Sequence, residues 1–468
     1  MRSVTTPSLR QAIESLVTGA ANAASDLDRV SEAFRRQADR VAAAAPTVRL
    51  PAELATARVT KAARIAQGLI EEAARTARDR LERARSAART EVAEDVASEM
   101  PTLSLPVGGM TGDARVPTVL RVETDPLTYL FNAFGNDPGQ PYGWSGADGT
   151  YSVALPDGRV LWIFSDTMVG SVHPDGSRPP LGTEPGMTAM PRNALVIQEG
   201  ERLTTVNGSP GGRPANVVES HWAFPEHPGA VMWAGDAHVH DGRVEIVYRL
   251  YVDDRYSGAA VAEFALDDLE SPRYCTPLET SSRTTWGSAL HHDGEYAYVY
   301  GTEDLTTEKH LRVARTSGSL VEPWEFYAGG NQWSQHEDDG VRVLSGVANE
   351  FSVSPVGDSL LLVTHDNSEA MSPNIVGYAA ASPVGPFVDK TILYSTPEHG
   401  PTGRYGLPGV YTYNAHAHPH VDRGRGRLVV SYNVNSTGSR MVGSEAMNDV
   451  EADASIYRPR FVTVQLDI

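Results

Sequence analysis

The stretch that decides the fold is GADGTYSVALPDGRVLWIFSDT, residues 146–167. It contains a short strand, a turn with Asp-Gly, and a stronger strand rich in Val, Leu and Ile, which together predict a β-hairpin. The same pattern recurs four times further along the chain. The copies are WAGDAHVHDGRVEIVYRLYV (233–252), TWGSALHHDGEYAYVYGTED (285–304), ANEFSVSPVGDSLLLVTHDN (348–367) and YNAHAHPHVDRGRGRLVVSYNVN (413–435).

A further β-rich run follows each of the five hairpins. These runs are NALVIQEG (193–200), AAVAEFALDD (259–268), HLRVARTSG (310–318), NIVGYAAAS (374–382) and PRFVTVQLDI (459–468). Five similar units with about four strands each predict an all-β five-bladed β-propeller over residues 101–468. A β-sandwich is the alternative, but it would not explain why a polar cluster precedes each hairpin.

In a propeller the first strand of each blade lines a central channel. The polar clusters that precede the five hairpins are therefore expected to meet at one end of that channel. Asp148 and Asp166 lie at the two ends of the first hairpin, so we expect them side by side at one mouth of the channel. Glycoside cleavage needs such a pair, because one acid protonates the leaving oxygen and the other attacks carbon or activates water. Turn formation by an isolated Asp near Gly is the alternative for each residue.

Other polar and aromatic residues near the same mouth are candidates for substrate contact. His416, His418 and His420 alternate in AHAHPHVD and therefore share one strand face, where substrate contact is favoured over metal binding. Aromatic rings could stack on sugars, although burial in the core is their commoner fate. The predicted substrate-binding residues are Asp236, Glu350, His416, His418, Trp144, Trp286, Asn433 and Asn193.

Several chemistries are disfavoured by what the sequence lacks. It contains no G-x-S-x-G, H-E-x-x-H or phosphate-binding glycine loop, so serine hydrolysis and nucleotide chemistry are not expected. A single cysteine, Cys275, excludes an internal disulfide and a cysteine-based zinc site. We therefore predict no metal and no cofactor.

Charge is distributed unevenly along the 468 residues, whose formal net charge is −19. Residues 1–100 hold 16 Lys+Arg and 14 Asp+Glu, which leaves 24 against 45 in residues 101–468. The acidity therefore belongs to the predicted propeller and argues against a nucleic-acid partner. No run of 18 apolar residues is present, so no membrane span is expected either.

Residues 1–100 are rich in Ala and predict an all-α helical hairpin or coiled-coil module. Their first apolar seam is Leu9, Ile13, Leu16, Ala20, Ala23, Leu27, Val30 and Phe34, with alternating spacings of four and three. A second helix is expected over about 52–98. Small seam residues bury little area, so we expect residues 9–98 to associate with copies of themselves or with another helical partner. A solvated helical spacer is the alternative.

Six segments of the predicted propeller together resemble the five-bladed endo-D-arabinanases of glycoside hydrolase family 183 and their relatives, over residues 120–468. They are WSGADGTYSVALPDGRVLWIFSDTMVG (144–170), PRNALVIQEG (191–200), NEFSV (349–353), YNAHAHPH (413–420), LVVSYNVNS (428–436) and IYRPRFV (456–462). The resemblance implies endo-hydrolysis of the D-arabinofuranose chains of a bacterial cell-wall arabinan, with Asp148 and Asp166 as the catalytic pair. Which of the two is the nucleophile stays open, as does a non-catalytic glycan-binding role as an adhesin or receptor-binding protein.

Action at a cell wall requires a route out of the cell. Glu14, Thr18 and Asn22 interrupt the apolar stretch near the N-terminus, which argues against a secretory signal peptide. The helical module suits a phage tail or another virion component, in which the helices would anchor the propeller. Secretion by a route without a signal peptide is the alternative.

Overall fold

The structure is a computed structural model that describes residues 114–137, 142–208, 214–305, 308–369, 371–442 and 445–468. The predicted helical module of residues 1–100 and its association through residues 9–98 lie outside these ranges. Within them, two α-helices are present, α1 (Pro126–Gly135) and α2 (Asp449–Ala452). Neither is long and apolar enough to cross a membrane.

Short strands make up most of the described chain. In chain order, the first half contains β1 (Val119–Thr124), β2 (Trp144–Ala147), β3 (Tyr151–Ala154), β4 (Val160–Phe164), β5 (Thr167–Val169), β6 (Ala194–Glu199), β7 (Arg202–Val206), β8 (Val231–His240), β9 (Arg243–Val252), β10 (Arg255–Ala265), β11 (Tyr274–Pro277), β12 (Thr285–His292) and β13 (Ala297–Asp304). The second half contains β14 (Lys309–Thr316), β15 (Glu325–Gly329), β16 (Gln332–Ser334), β17 (Leu344–Ser345), β18 (Phe351–Val356), β19 (Ser359–His365), β20 (Asn374–Ala380), β21 (Val388–Ser395), β22 (Val410–Ala417), β23 (Arg427–Ser436), β24 (Ser439–Val442), β25 (Glu445–Asn448) and β26 (Pro459–Leu466).

Five antiparallel sheets follow one another along the chain and form the blades. Blade 1 has the order β3-β4-β6-β7, blade 2 has β8-β9-β10-β11, blade 3 has β12-β13-β14-β15-β16 with β17 beside β14, and blade 4 has β18-β19-β20-β21. Blade 5 has the order β22-β23-β26-β1. The inner strands β3, β8, β12, β18 and β22 contact one another in sequence around a channel. The predicted five-bladed propeller, with all five hairpins and the strand after each, is confirmed.

The first described strand completes the last blade, a feature that the sequence analysis did not predict. β1 pairs antiparallel with β26, where Val122 lies opposite Val464. The side chain of Asp125 then caps α1 by accepting from the Leu127 N–H at 2.9 Å. The same carboxylate accepts two bonds from Arg423, at 2.8 and 2.9 Å, and one from Thr463 at 2.7 Å. These bonds hold the two ends of the described chain together.

The two faces of the ring differ in the length of their connections. We call the face on which the inner strands begin the upper face, and the opposite one the lower face. Long connections meet at the upper face, among them 170–193, 214–230 and 396–409, whereas the lower face has tight turns. Asp241 and Gly242 form one of these turns with φ of 45° and 73°, the left-handed backbone of a hairpin turn.

The core lies between neighbouring blades because alternate side chains of each strand point to opposite faces of its sheet. Leu161 and Ile163 of blade 1, for example, are fully buried in one cluster with Ile246 and Tyr248 of blade 2. This packing fixes the angle between blades and so fixes the positions of the inner strands around the channel.

Candidate active site

Asp148 and Asp166 lie side by side at the upper face, on the extensions of β3 and β4. The Asp148 N–H donates to the Asp166 carbonyl at 3.1 Å, and the Ser165 N–H donates to the Asp148 carbonyl at 3.0 Å. Asn433 of blade 5 supports this turn, since its Nδ2 donates to the Ala147 carbonyl at 3.1 Å. These backbone hydrogen bonds therefore fix the spacing of the two aspartates independently of any contact between their side chains.

Asp148 is a partly buried carboxyl that receives only neutral donors. Its Oδ2 accepts from the hydroxyl of Tyr413 at 2.8 Å and from that of Tyr457 at 3.0 Å. Burial and the nearby negative charges of Asp166 and Glu350 raise the pKa of Asp148 to about 8, although the two phenols oppose the shift. This raised pKa favours the protonated form of Asp148 near neutral pH, which is the form that a general acid requires.

Asp166 has a different set of partners. Arg192 Nη1 donates to both of its carboxylate oxygens at 3.1 Å, and Trp233 Nε1 donates to Oδ1 at 2.8 Å. Burial raises the pKa of Asp166, and the Arg192 guanidinium opposes that rise. Among the described residues no cationic side chain pairs with Asp148, whereas Arg192 pairs with Asp166, and this difference favours ionisation of Asp166 over Asp148.

Glu350 belongs to a buried ion pair next to the aspartates. Arg249 Nη2 donates to Glu350 Oε1 at 2.8 Å, and His416 Nε2 lies 3.4 Å from Glu350 Oε2. Arg249 also donates to the Tyr151 hydroxyl at 3.3 Å and to the Ala234 carbonyl. The guanidinium thereby joins blades 1, 2 and 4 at the upper end of the channel.

Asp236 lies deeper, against the channel itself. It lines a cavity of about 170 Å³ together with Ser352, His416 and other inner-strand residues. Its two oxygens accept from the Ala237 and Leu290 N–H groups at 2.9 and 2.7 Å. Burial raises the pKa of Asp236 to about 6, and these N–H donors limit the rise.

His418 lines the same cavity, but its ring nitrogens are engaged by the protein itself, so its predicted contact with substrate stays a prediction. Its side chain is buried, with Nδ1 bonded to Ser152 and Nε2 bonded to Ser431 at 2.8 Å. Burial lowers the pKa of His418 well below its ordinary value, so the ring is neutral. Within the described ranges, no group of three or more His, Cys, Asp or Glu side chains is placed to hold a metal ion.

The prediction that Trp144 and Trp286 contact substrate is wrong, because both side chains are only 1% exposed. Trp144 packs edge-on against Phe131 of α1, with ring centroids 5.2 Å apart. Trp286 packs against Trp324 of blade 3 at 5.8 Å. Each indole fills the core beneath the upper face and presents no ring to a sugar.

Asn193 and Asn433, which were predicted to bind substrate, are fully buried and have structural roles instead. Asn193 Nδ2 donates to the carbonyls of Val218 and Met232 at 3.0 and 2.8 Å, which ties blade 1 to the connection that enters blade 2. Asn433 holds the Asp148 turn, also through Thr150 Oγ1 at 2.9 Å. The Asn193 amide is fully bonded within the protein, since its Oδ1 also accepts from the Val218 N–H at 2.8 Å. Asn433 donates both of its bonds to the protein, and its Oδ1 is buried without a partner among the described residues.

Two residues that the sequence analysis missed, Arg192 and Tyr457, contact the aspartates directly. Arg192 precedes β6 in PRNALVIQEG, and Tyr457 precedes β26 in IYRPRFV. Both strands are the third of their blade and begin at the upper face. Attention to the starts of third strands, in addition to first strands, would have found both residues.

The fold and this site define a class of protein: a five-bladed β-propeller with a buried pair of carboxyl groups at one mouth of its channel. The chain belongs to the family described as "Domain of unknown function (DUF5005)", whose model matches residues 130–466. A search among curated proteins finds no match to the chain.

Several solved structures are similar to this chain. A protein from Bacteroides ovatus, provisionally described as a hydrolase, is 21% identical with a TM-score of 0.58, over 78% of this chain and 96% of its own. A GH43_1 enzyme from Xanthomonas citri is 14% identical with a TM-score of 0.40, over 71% and 92%. A structure described as RS223-Beta-xylosidase is 12% identical with a TM-score of 0.40, over 70% and 93%. The first shows the fold alone, and the other two are too distant to support any statement about this chain.

Proposed function

We propose that the protein is a glycoside hydrolase in which Asp148 is the general acid and Asp166 the ionised partner. The observation that carries the proposal is the unequal setting of two adjacent aspartates, one held by phenols and one by a guanidinium. Asp148 donates its proton to the leaving glycosidic oxygen. Asp166 either attacks the anomeric carbon or removes a proton from the attacking water.

We further propose that the substrate is a D-arabinofuranose chain of a bacterial cell-wall arabinan, cleaved internally. The support for this choice is the resemblance of six segments, which include both aspartates, Arg192 and Tyr457. The charge of Glu350 acts on Asp148, and His416 lies 3.4 Å from Glu350, so these two residues are the proposed contacts for sugar hydroxyls.

The experiment is product analysis on purified arabinogalactan with the wild-type protein and with Asp148→Asn and Asp166→Asn. The wild type should release arabinose oligosaccharides, and each variant should lose at least about 100-fold in rate, the usual contribution of a general acid or nucleophile. Asp157→Asn, in an exposed lower-face turn, is the matched control and should keep full activity. Full activity in both active-site variants would refute the assignment. Bound glycan without product would indicate an adhesin instead.

Three further predictions rest on the sequence alone. They are action at a cell wall outside the cell, delivery on a virion or without a signal peptide, and association through residues 9–98. The last is tested by measuring the mass of the full chain in solution. A strictly monomeric protein would contradict self-association.

A further inference from the structure

We propose that Tyr413 and Tyr457 are positioning residues that hold the proton of Asp148 on Oδ1, the oxygen from which it is delivered. This inference rests on the proposed function, since it assigns the orientation of the general acid. It concerns two residues from blade 5 that reach Asp148 from different elements, Tyr413 on β22 and Tyr457 in the 3₁₀ turn before β26.

The first step of the argument is the direction of the two hydrogen bonds. Burial and the proximity of Asp148 raise the pKa of both tyrosines well above the ordinary value, so both phenols stay protonated and donate. Oδ2 accepts both bonds, whereas Oδ1 has no hydrogen-bond partner among the described residues. A proton on Oδ2 would face two O–H donors and displace at least one of them, so the proton resides on Oδ1.

The second step is the backbone irregularity that aims Tyr413. The pairing of β22 with β23 shifts register between Tyr413 and His416, which is a β-bulge. Asn414 within the bulge has a left-handed φ of 52°. A bulge turns the neighbouring side chain away from its regular direction and is common beside active sites. Asn435 Nδ2 also donates to the Tyr413 hydroxyl, at 3.4 Å.

The third step is the close approach that brings in Tyr457. A Cβ atom at Gly146 would collide with the Tyr457 carbonyl oxygen, so only glycine lets this segment lie against β2. Arg178 Nη2 donates to the Ala454 carbonyl at 2.7 Å, and Arg458 Nε donates to the Ser145 carbonyl at 2.8 Å. Two buried guanidiniums thus fasten residues 454–458 to the strand that leads to Asp148.

The charged and titratable groups that face Asp148 act in two directions. Asp166 and Glu350 raise its pKa by repulsion, and Tyr413 and Tyr457 lower it by stabilising the carboxylate. Removal of either hydroxyl therefore raises the pKa of Asp148 further. Activity that needs the protonated acid is lost as the pH rises through this pKa, so its alkaline limb moves to higher pH.

The test compares Tyr413→Phe and Tyr457→Phe with Tyr411→Phe. Tyr411 is the matched control, because its ring lies 5.3 Å from that of Tyr413 yet its hydroxyl makes no hydrogen bond to Asp148. In both test variants the alkaline limb of kcat/KM should move up by about one pH unit, the usual effect of one lost hydrogen bond to a carboxylate. The limb of the control should stay in place. An unmoved limb in both test variants overturns the proposal.

A second measurement separates this inference from the proposed function. Infrared difference spectroscopy follows the carboxylic acid C=O band of Asp148, which Asp148→Asn identifies by its loss. The band should persist to higher pH in Tyr413→Phe and Tyr457→Phe than in the wild type and in Tyr411→Phe. A shifted band in a protein that cleaves no glycan would refute the hydrolase and leave the positioning intact, whereas an unshifted band refutes the positioning.

Discussion

At the scale of single residues, Asp148 and Asp166 have the same side chain and differ only in their neighbours. Arg192 brings a fixed positive charge to Asp166, whereas the phenols around Asp148 bring dipoles without net charge. Since burial penalises the charged form of both carboxyl groups, the single guanidinium decides which of them ionises first. The proposed division into acid and ionised partner follows from that asymmetry.

Replacement of Arg192 by Gln should move the acidic limb of the pH–rate profile. Loss of the guanidinium removes the group that opposes the raised pKa of Asp166, so this pKa rises and the ionised partner is lost at higher pH than in the wild type. We expect a shift of about one unit or more, measured as kcat/KM against pH. Arg202→Gln, at an exposed position in the same blade, should leave the profile unchanged. An acidic limb that stays in place would contradict the role of Arg192.

The sequence allowed the position of the two aspartates to be predicted because hairpin ends meet regardless of what surrounds them. It could not reveal that Trp144 is buried, because the cover over that indole is α1, whose Phe131 arrives from before the first blade. Asn193 and Asn433 look like polar groups available to a ligand until the carbonyls they satisfy are known. Whether a side chain at the channel mouth is buried depends on the long connections that cover it. These connections have no repeating sequence pattern, so the burial could not be predicted.

At the scale of strands, the inner and third strands of each blade begin at the upper face and supply the site from several directions. The repeat of hairpin and following strand was predictable from alternation and turn residues. The two-stranded extension of β2 and β5 was not, since its four- and three-residue strands flank the β3–β4 hairpin and are too short to show an alternating pattern. The edge strand β1 was missed because its partner β26 lies at the far end of the chain.

Trp286 and Trp233 should respond differently to substitution. Trp286→Leu creates a cavity against Trp324 and should reduce the free energy of unfolding by about 2–4 kcal/mol while KM stays unchanged. Trp233→Phe keeps an aromatic ring but removes the N–H that donates to Asp166, so it should lower kcat with a smaller loss of stability. Denaturant unfolding and steady-state kinetics on both variants check this pair. An increase in KM for Trp286→Leu would show that Trp286 does contact the substrate, contrary to what its burial indicates.

At the scale of the whole molecule, the ring depends on one joint between its first and last strands. Asp125 is fully buried there and binds the α1 N-terminus, Arg423 and Thr463 at once. Burial opposes its ionisation, but these donors together hold the pKa of Asp125 below its ordinary value. The joint is therefore a charged one, and its strength depends on pH.

Asp125→Asn should destabilise the protein by about 3 kcal/mol at neutral pH, because it leaves the Arg423 guanidinium without its carboxylate. A carboxyl whose pKa is lowered by folding contributes its stability above the unfolded pKa of about 3.9, and that contribution is lost as the pH falls further. The difference between variant and wild type should thus be full above about pH 5 and shrink below about pH 4. Denaturant unfolding across this range measures it.

Asp241→Asn is the control for this substitution, since Asp241 lies in an exposed left-handed turn where Asn is equally suited. Its unfolding midpoint should match that of the wild type at every pH. An Asp125→Asn protein that is as stable as the control would show that β1 pairing alone closes the ring.

The joint also sets the order in which the molecule is able to fold. Asp125 and Thr463 bond across a separation of 338 residues, whereas the hairpins of blades 1 to 4 close over short loops. During synthesis, blades 1 to 4 are completed before β26, the partner of β1, has been made. Contacts between residues so far apart in sequence are the slowest to form. The nascent chain therefore carries an unpaired edge strand throughout most of its synthesis, and it is in this interval that the protein is most exposed to misassembly and most dependent on chaperones.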